Sequence, residues 1–202
     1  MTNSHVSPES LEHDNIRLVK TFQANDKKAF DQLILLHKKM VFNLCYKFLD
    51  NYAEADDCAQ EVFIKVYSSL EKFRFEASFT TWLYRITVNT CKNRLNSLEF
   101  RFRFKKIRIN HSKAQQNGPP SVEVRDDSLS PASVLKRKEI YRHIQNAINR
   151  LPAQHKIIVV LRDMEDYSYA EIVEITGLKL GTVKSKLARA RQQLRYILKG
   201  SI

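Results

Sequence analysis

The sequence predicts an all-α protein: two small helical domains joined by a flexible linker, the second a helix-turn-helix domain. Three observations carry this. Apolar residues recur at helical spacing through both halves of the chain. Gly and Pro number only 4 and 5 in 202 residues, too few for a turn-rich β architecture, and 43% hydrophobic residues supply a core. Between residues 111 and 131 the periodicity stops in a polar stretch that holds Asn117-Gly118-Pro119-Pro120 and Ser130-Pro131. The expected division is a disordered tail over 1–15, a first domain over 16–110, a linker over 111–131 and a second domain over 132–202.

Helical spacing begins at Ile16. Leu18 and Phe22, then Phe30, Leu33, Ile34, Val41, Leu44, Cys45 and Phe48, predict two helices broken near Ala24-Asn25-Asp26. Asp26 can cap the second of them. Asp50-Asn51-Tyr52 marks a turn. Next, Ala55, Cys58, Ala59, Val62, Phe63, Val66, Tyr67 and Leu70 form a full core stripe on one helix. The outer face of that helix carries Glu54, Asp56, Asp57, Gln60 and Glu61. Complementing the helix dipole accounts for Glu54 to Asp57. It does not account for Gln60 and Glu61, which lie beyond the first turn.

Phe73 to Phe79 is an aromatic loop too irregular for a helix. Thr80 or Thr81 can cap the helix that follows, from Trp82 to Leu95. Leu83, Ile86 and Thr90 share one of its sides; Trp82, Arg85, Asn89 and Lys92 or Asn93 share another. Arg and Asn can hydrogen-bond base edges or phosphates, and an aromatic ring can stack on an unpaired base. Taken alone, Trp82 reads as core and Arg85 as a surface cation. Residues 99–109 alternate apolar and basic, which locally spells a strand. With no partner strand in a helical chain, a basic extension of the helix or a basic arm ordered on DNA is expected instead.

The second block opens with a helix from about Ala132 to Leu151, striped by Ile140, Ile144, Ala147, Ile148 and Leu151. Pro152 suits the first turn of the next helix, which carries Ile157, Ile158, Val160, Leu161 and Met164 and ends at Asp163 to Asp166. Ser168 with Glu171 is a capping box. Ile172, Val173 and Ile175 give that helix an apolar side, and Thr176-Gly177 stops it. Thr182 can cap the last helix, where Val183, Leu187, Ala190 and Leu194 form one stripe. Lys184, Ser185, Ala188, Arg189 and Gln192 share the opposite side, flanked by Lys186, Arg191 and Arg195. One core face and one basic face across a tight turn describe a helix-turn-helix. A plain hairpin with a solvated basic face fits the same pattern. The two helices ahead of it favour the DNA-binding version.

Charge agrees. The net charge of +12 is not spread evenly. Residues 92–113 hold 8 Lys/Arg against 1 Asp/Glu, and residues 132–202 hold 14 against 6. Residues 1–91 are near neutral, with 11 against 12. Two basic centres suit two contacts with a polyanion. No polybasic stretch adjoins a lipidation motif or anchoring helix, which disfavours a membrane surface. Cys45, Cys58 and Cys91 are widely spaced, without Cys-x-x-Cys or metal-ligand spacing, so buried thiols in a reducing cytosol are expected, with no metal and no cofactor. Met1 to Asn15 has no signal-peptide core, and no apolar run reaches membrane-spanning length, so a soluble, cytoplasmic protein without membrane insertion is expected.

The run D-D-C-A-Q-E-V-F-I-K-V-Y (Asp56 to Tyr67) followed by F-T-T-W-L-Y-R-I-T-V-N (Phe79 to Asn89) resembles the promoter-melting region 2 of bacterial sigma factors. Leu151-Pro152, Y-S-Y-A-E-I (Tyr167 to Ile172) and G-T-V-K-S-K-L-A-R-A-R (Gly181 to Arg191) resemble their C-terminal region 4. Two domains with only a linker between them resemble the extracytoplasmic-function (ECF) subgroup. The resemblance covers about residues 16–199, in order.

It implies an alternative sigma factor that binds core RNA polymerase, recognises the minus-thirty-five and minus-ten promoter elements and melts the DNA between duplex and single-stranded states. Asp57, Gln60 and Glu61 would dock on the clamp helices of the largest subunit, and region 4 on the flap of the second-largest. Phe75, Phe79, Trp82, Arg85, Asn89, Lys92 and Asn93 would hold the minus-ten element. Extruding a base costs a few kcal/mol and each base–aromatic stack returns about 1–3 kcal/mol, so such a face can balance one flipped base without ATP. Lys184, Ser185, Ala188 and Arg189 would face the major groove, with Thr182, Lys186, Arg191 and Arg195 flanking or on phosphates. The linker acids Glu123, Asp126 and Asp127 would run toward the polymerase active centre, and an anti-sigma factor would cover both domains. Lys184 and Lys186 stand where the family often has Arg, and Ala188 offers only a methyl, so bidentate guanine reading is weaker here. The run 99–109 is no part of the family pattern.

A stand-alone helix-turn-helix regulator would explain residues 168–199 but neither the Trp82 face nor the acidic face, and no dimer seam is visible. No phosphate loop, nucleophile motif or metal site points to an enzyme. His37, His143 and His155 are expected to be isolated and solvated.

Overall fold

Eight helices and no strand occur among the residues that the computed structural model describes, 8–97 and 131–199. The alternating run 99–109 and the linker 111–130 lie outside them. Packing divides the chain into two units: Met1–Cys91 with Ser168–Lys179, and Lys92–Tyr167 with Leu180–Ile202. The division departs from chain order at Ser168–Lys179, which groups with the first block.

The first unit contains α1 (Pro8–Gln23), α2 (Lys28–Leu49), α3 (Tyr52–Leu70) and α4 (Phe79–Asn96), whose last turn passes its boundary. α2 and α3 are its main packed pair. Their connection is short because each end is capped locally. Asp50 takes a left-handed conformation (φ 52°) and its amide donates to the Tyr46 carbonyl at 2.8 Å. Asn51 Oδ1 then accepts the Glu54 amide at 3.0 Å. Ala55, Cys58, Val62, Val66 and Leu70 are all buried on α3, as its stripe predicts. Phe63 is only half-buried and Tyr67 is exposed, its ring lying edge-on to Phe22 and Phe30.

The expected tail over 1–15 is corrected from Pro8 onward, where α1 begins. Asn15 is fully buried, and α1 is anchored by polar bonds that apolar periodicity does not reveal. Asp26 is not the N-cap of α2, which is Lys27; it stands one residue earlier, and its carboxylate accepts the Lys28 amide at 3.0 Å. Thr80 and Thr81 do not cap α4, because the helix begins earlier, at Phe79. The Thr81 amide instead meets Ser78 Oγ at 3.0 Å, and the Phe79 amide meets Glu12 Oε1 at 2.8 Å.

The second unit contains α5 (Pro131–Asn149), α6 (Ala153–Val159) and α8 (Leu180–Lys199). Pro152 precedes α6, which widens into a π turn over Val160–Met164; there the Glu165 amide reaches the Val160 carbonyl at 3.0 Å. Val183, Leu187 and Ala190 are buried as α8 packs on α6 and α5. Burying each of the two larger side chains contributes about 1.5–3 kcal/mol. Of the α5 stripe only Ala147, Ile148 and Leu151 are buried; Ile140 and Ile144, toward the N-terminal end, are exposed. Thr182 lies inside α8 and caps nothing, because the helix already begins at Leu180.

α7 (Tyr169–Thr176) carries the expected capping box in full: the Glu171 amide meets Ser168 Oγ at 3.2 Å, and Glu171 Oε2 accepts the Ser168 amide at 2.8 Å. Those bonds hold the Glu171 carboxyl below the usual carboxylate range. Gly177 ends α7 at φ 69°, where a side chain would be strained.

Candidate nucleic-acid interface

The outward face of α4 stands on an aromatic platform. Phe73 and Phe79 are buried, and Trp82, half-buried, packs on them with ring centroids 4.9 and 5.8 Å away. Phe75 rests against Phe73 at 4.9 Å and is 38% exposed. Its φ of 58° is a left-handed conformation in which a bulky residue is costly, by about 1–2 kcal/mol. The strained loop holds the Phe75 ring at the surface against Phe73, under the Lys20 ammonium 6.0 Å from its centroid. Phe79 is corrected as a DNA contact: it is 2% exposed and packs on His37, so its role is to seat Trp82.

Beyond Trp82, Asn89 and Asn93 are exposed, and Arg85 and Lys92 are half-exposed. Arg85 Nε donates to the backbone carbonyl of Glu174, within the same unit. These side chains repeat every helical turn, so one face offers an indole, amides and cations together.

The start of α4 is set from α1. Glu12 Oε1 accepts the Phe79 amide, and Oε2 accepts from Thr80 Oγ1 and from Asn15 Nδ2, both at 3.2 Å. With its amide nitrogen so engaged, Asn15 turns its oxygen to His37, which donates from Nε2 at 2.7 Å. Burial pushes the His37 imidazole down to about 4, against the opposing pull of Glu12. The expectation of a solvated His37 is therefore corrected: it is 2% exposed and neutral near pH 7. His155 is also engaged, Nδ1 lying 2.9 Å from Gln193 Oε1. Glu12, Asn15 and His37 hold the start of α4, a support that sequence reasoning missed.

On α3, Asp57 and Gln60 are exposed. Gln60 donates to Asp56 at 3.0 Å, and Glu61 pairs with Lys65 at 2.6 Å. Ile64 follows at the same helical spacing and is 69% exposed. An apolar residue off the buried stripe was the available signal, and it extends the acidic face into a mixed one.

On α8, Lys184, Ser185, Ala188, Arg189 and Arg195 are exposed, and Thr182 is half-exposed. Two of the expected flanking cations are engaged within the fold. Arg191 pairs with Asp163 at 2.5 Å, with a second bond at 3.2 Å, and Lys186 donates to Gln154.

The sigma-70 region 2 family matches residues 33–100, and the sigma-70 region 4 family matches residues 141–194. The chain is 36% identical over 177 residues to the ECF RNA polymerase sigma-E factor of Haemophilus influenzae, covering 88% of this chain and 91% of that protein. It belongs to the ECF sigma factors.

This sigma factor is also 33% identical over 191 residues to the RNA polymerase sigma-H factor of Pseudomonas aeruginosa, over 88% and 90% of the two chains. Its fold is similar to that of CnrH solved with the cytosolic domain of CnrY (TM-score 0.61, 19% identity, 94% of this chain and 99% of that one). It is similar too to RpoE of Bartonella quintana solved with the anti-sigma factor NepR (TM-score 0.56, 22% identity, 85% and 98%). An all-α architecture and an alternative sigma factor rather than a stand-alone regulator thus agree with the sequence reading. No described helix is long and apolar enough to cross a membrane.

Proposed function

We propose that this sigma factor docks on core polymerase through α3, grips the minus-thirty-five duplex through α8 and opens the minus-ten element on the outward face of α4. The functional domains would run from Pro8 to about residue 110 and over 132–202, joined by the linker. The protein acts as a binding factor in the cytoplasm, without catalysis or cofactor, and an anti-sigma factor holds it inactive.

The observation that carries this is that Trp82 and Phe75 each pack on Phe73, at 4.9 Å, and each keep part of the ring in solvent. Two aromatic rings reach solvent from a buried Phe73–Phe79 platform, beside exposed Asn89 and Asn93. The left-handed φ of 58° at Phe75 is a strained conformation of the kind that clusters at functional sites, which supports this reading. Unpaired bases find a stacking surface there and hydrogen-bonding amides two and three turns on. Asp57, Gln60, Glu61 and Ile64 make the docking stripe on α3. On α8, Lys184, Ser185, Ala188 and Arg189 read the groove, and Arg195 and Thr182 meet phosphate. Arg191 braces α8 against Asp163 and Lys186 braces it against Gln154, so both contribute less to DNA than their charge suggests.

In vitro transcription with core enzyme tests the proposal. A promoter-dependent transcript only when core and this protein are combined is the expected result. Tight, sequence-specific duplex binding by the protein alone, with no transcript on adding core, would refute it.

A further inference from the structure

Cys45 on α2, Cys58 on α3 and Cys91 on α4 are far apart in sequence but meet in the core of the first unit. Cys91 Sγ lies 3.6 Å from Cys58 Sγ and 3.6 Å from Cys45 Sγ. All three sulfurs fall within 4.8 Å of one another, each residue is 0% exposed, and none is in a disulfide. We propose that this trithiol core is a binding site for one trivalent group-15 atom, arsenic(III) or antimony(III), captured from its neutral hydroxide.

The geometry is nearly built. An atom about 2.3 Å from each sulfur holds its ligands roughly 3.5–4 Å apart. Two edges of the triangle already meet that value, and the third closes with a shift of about 1 Å or less from its 4.8 Å bound.

Charge selects the ion. Three thiolates around a divalent metal leave one net negative charge, and around copper(I) two. In a site closed to water such a charge is costly. Three thiolates on a trivalent atom leave none. Coordination agrees: structural zinc takes four ligands, and the described cluster supplies three Cys with no His, Asp or Glu beside them. Trivalent arsenic is satisfied by three bonds and a lone pair. The Cys45 and Cys58 sulfurs, and then burial, push the Cys91 thiol well up, so Cys91 rests protonated.

The reaction balances without an oxidant. Three As–O bonds of As(OH)3 break and three As–S bonds form. Each thiol proton leaves with a hydroxide as water, and arsenic stays trivalent. Because the sulfurs are closed off, capture proceeds through local opening of the unit and is slow. Once made, the bonds tie α2, α3 and α4 together.

The test uses the full chain, reduced with a phosphine and incubated with sodium arsenite. Native mass spectrometry should show one arsenic added with loss of three protons. Thiol titration of the unfolded adduct should fall from three groups to none. X-ray absorption at the arsenic edge should show three sulfur neighbours and no oxygen. Cys91→Ser should lose that signature, and arsenite should raise the Tm of the wild type only. A shell with oxygen in it, equal binding by Cys91→Ser, or zinc(II) taken up at these cysteines in preference to arsenite would overturn the proposal. If Cys91→Ser fails to fold, the absorption spectrum of the wild type decides alone.

Discussion

Acid should weaken the first unit through one residue. Burial holds His37 at about 4 in the folded protein, against 6.5 when exposed. Above pH 6.5 neither state carries the proton and stability is complete. As pH falls from 6.5 toward 4, the unfolded chain takes up a proton that the folded chain refuses, so stability is lost; below 4 the loss levels off. At about 1.4 kcal/mol for each pH unit between the two values, the full loss is about 3 kcal/mol, and about 2 kcal/mol of it falls between pH 7 and 4.5. His37→Gln keeps an amide N–H that can reach Asn15 but does not titrate. Trp82 is the only tryptophan and sits in this unit, so its fluorescence reports unfolding there. Urea denaturation at pH 7 and 4.5 gives the check. The wild type should lose about 2 kcal/mol more than His37→Gln. Parallel losses in the two proteins would show that His37 does not carry its proton-linked cost.

Three further outcomes follow from the same contacts. Glu12→Ala should destabilise the first unit by about 1–2 kcal/mol in urea, because the α4 start loses its cap, while Glu12→Gln should lose less than half of that. Asp57→Ala with Glu61→Ala should weaken core-polymerase affinity about tenfold, roughly 1.4 kcal/mol, in a competition assay and leave duplex DNA binding by the full chain unchanged. Phe75→Gly relieves about 1–2 kcal/mol of left-handed strain and gives up a ring contact of about 0.5–1.5 kcal/mol plus glycine's backbone entropy. Stability should therefore stay within about 1 kcal/mol of wild type, while promoter opening by the holoenzyme, followed by stopped flow, falls severalfold.

The helices were legible where burial alone sets the pattern. The Ser168–Glu171 capping box and the Gly177 stop follow from local rules and occur, as do the stripes of α3 and α8 apart from Phe63, Tyr67 and Leu194, which are not buried. α1 was half lost because Glu12 and Asn15 look like tail residues until their partners, Thr80 and His37, are known. Those partners lie 22 to 68 residues away, beyond any local rule. The same holds for the cysteines: each reads as core on its own helix, and only the convergence of three helices makes them a site. Within the candidate interface, the residue types on α4 were readable, but the split between platform and contact was not. Phe79 and Phe75 are equivalent as letters, but Phe79 opens α4 and packs on His37, whereas Phe75 sits in the loop with a left-handed backbone and stays partly exposed. On α8 the basic face was readable, yet the Asp163 that engages Arg191 comes from the π turn after α6.

Opening of the minus-ten element is the central claim, and permanganate reactivity of its thymines measures it directly. Holoenzyme with the wild-type protein should render them reactive. Trp82→Ala should retain core binding and the upstream contact yet lose about tenfold or more in opening, as expected when a stack of about 1–3 kcal/mol is removed. Undiminished reactivity with Trp82→Ala would contradict the account, because the face of α4 would then have no part in melting.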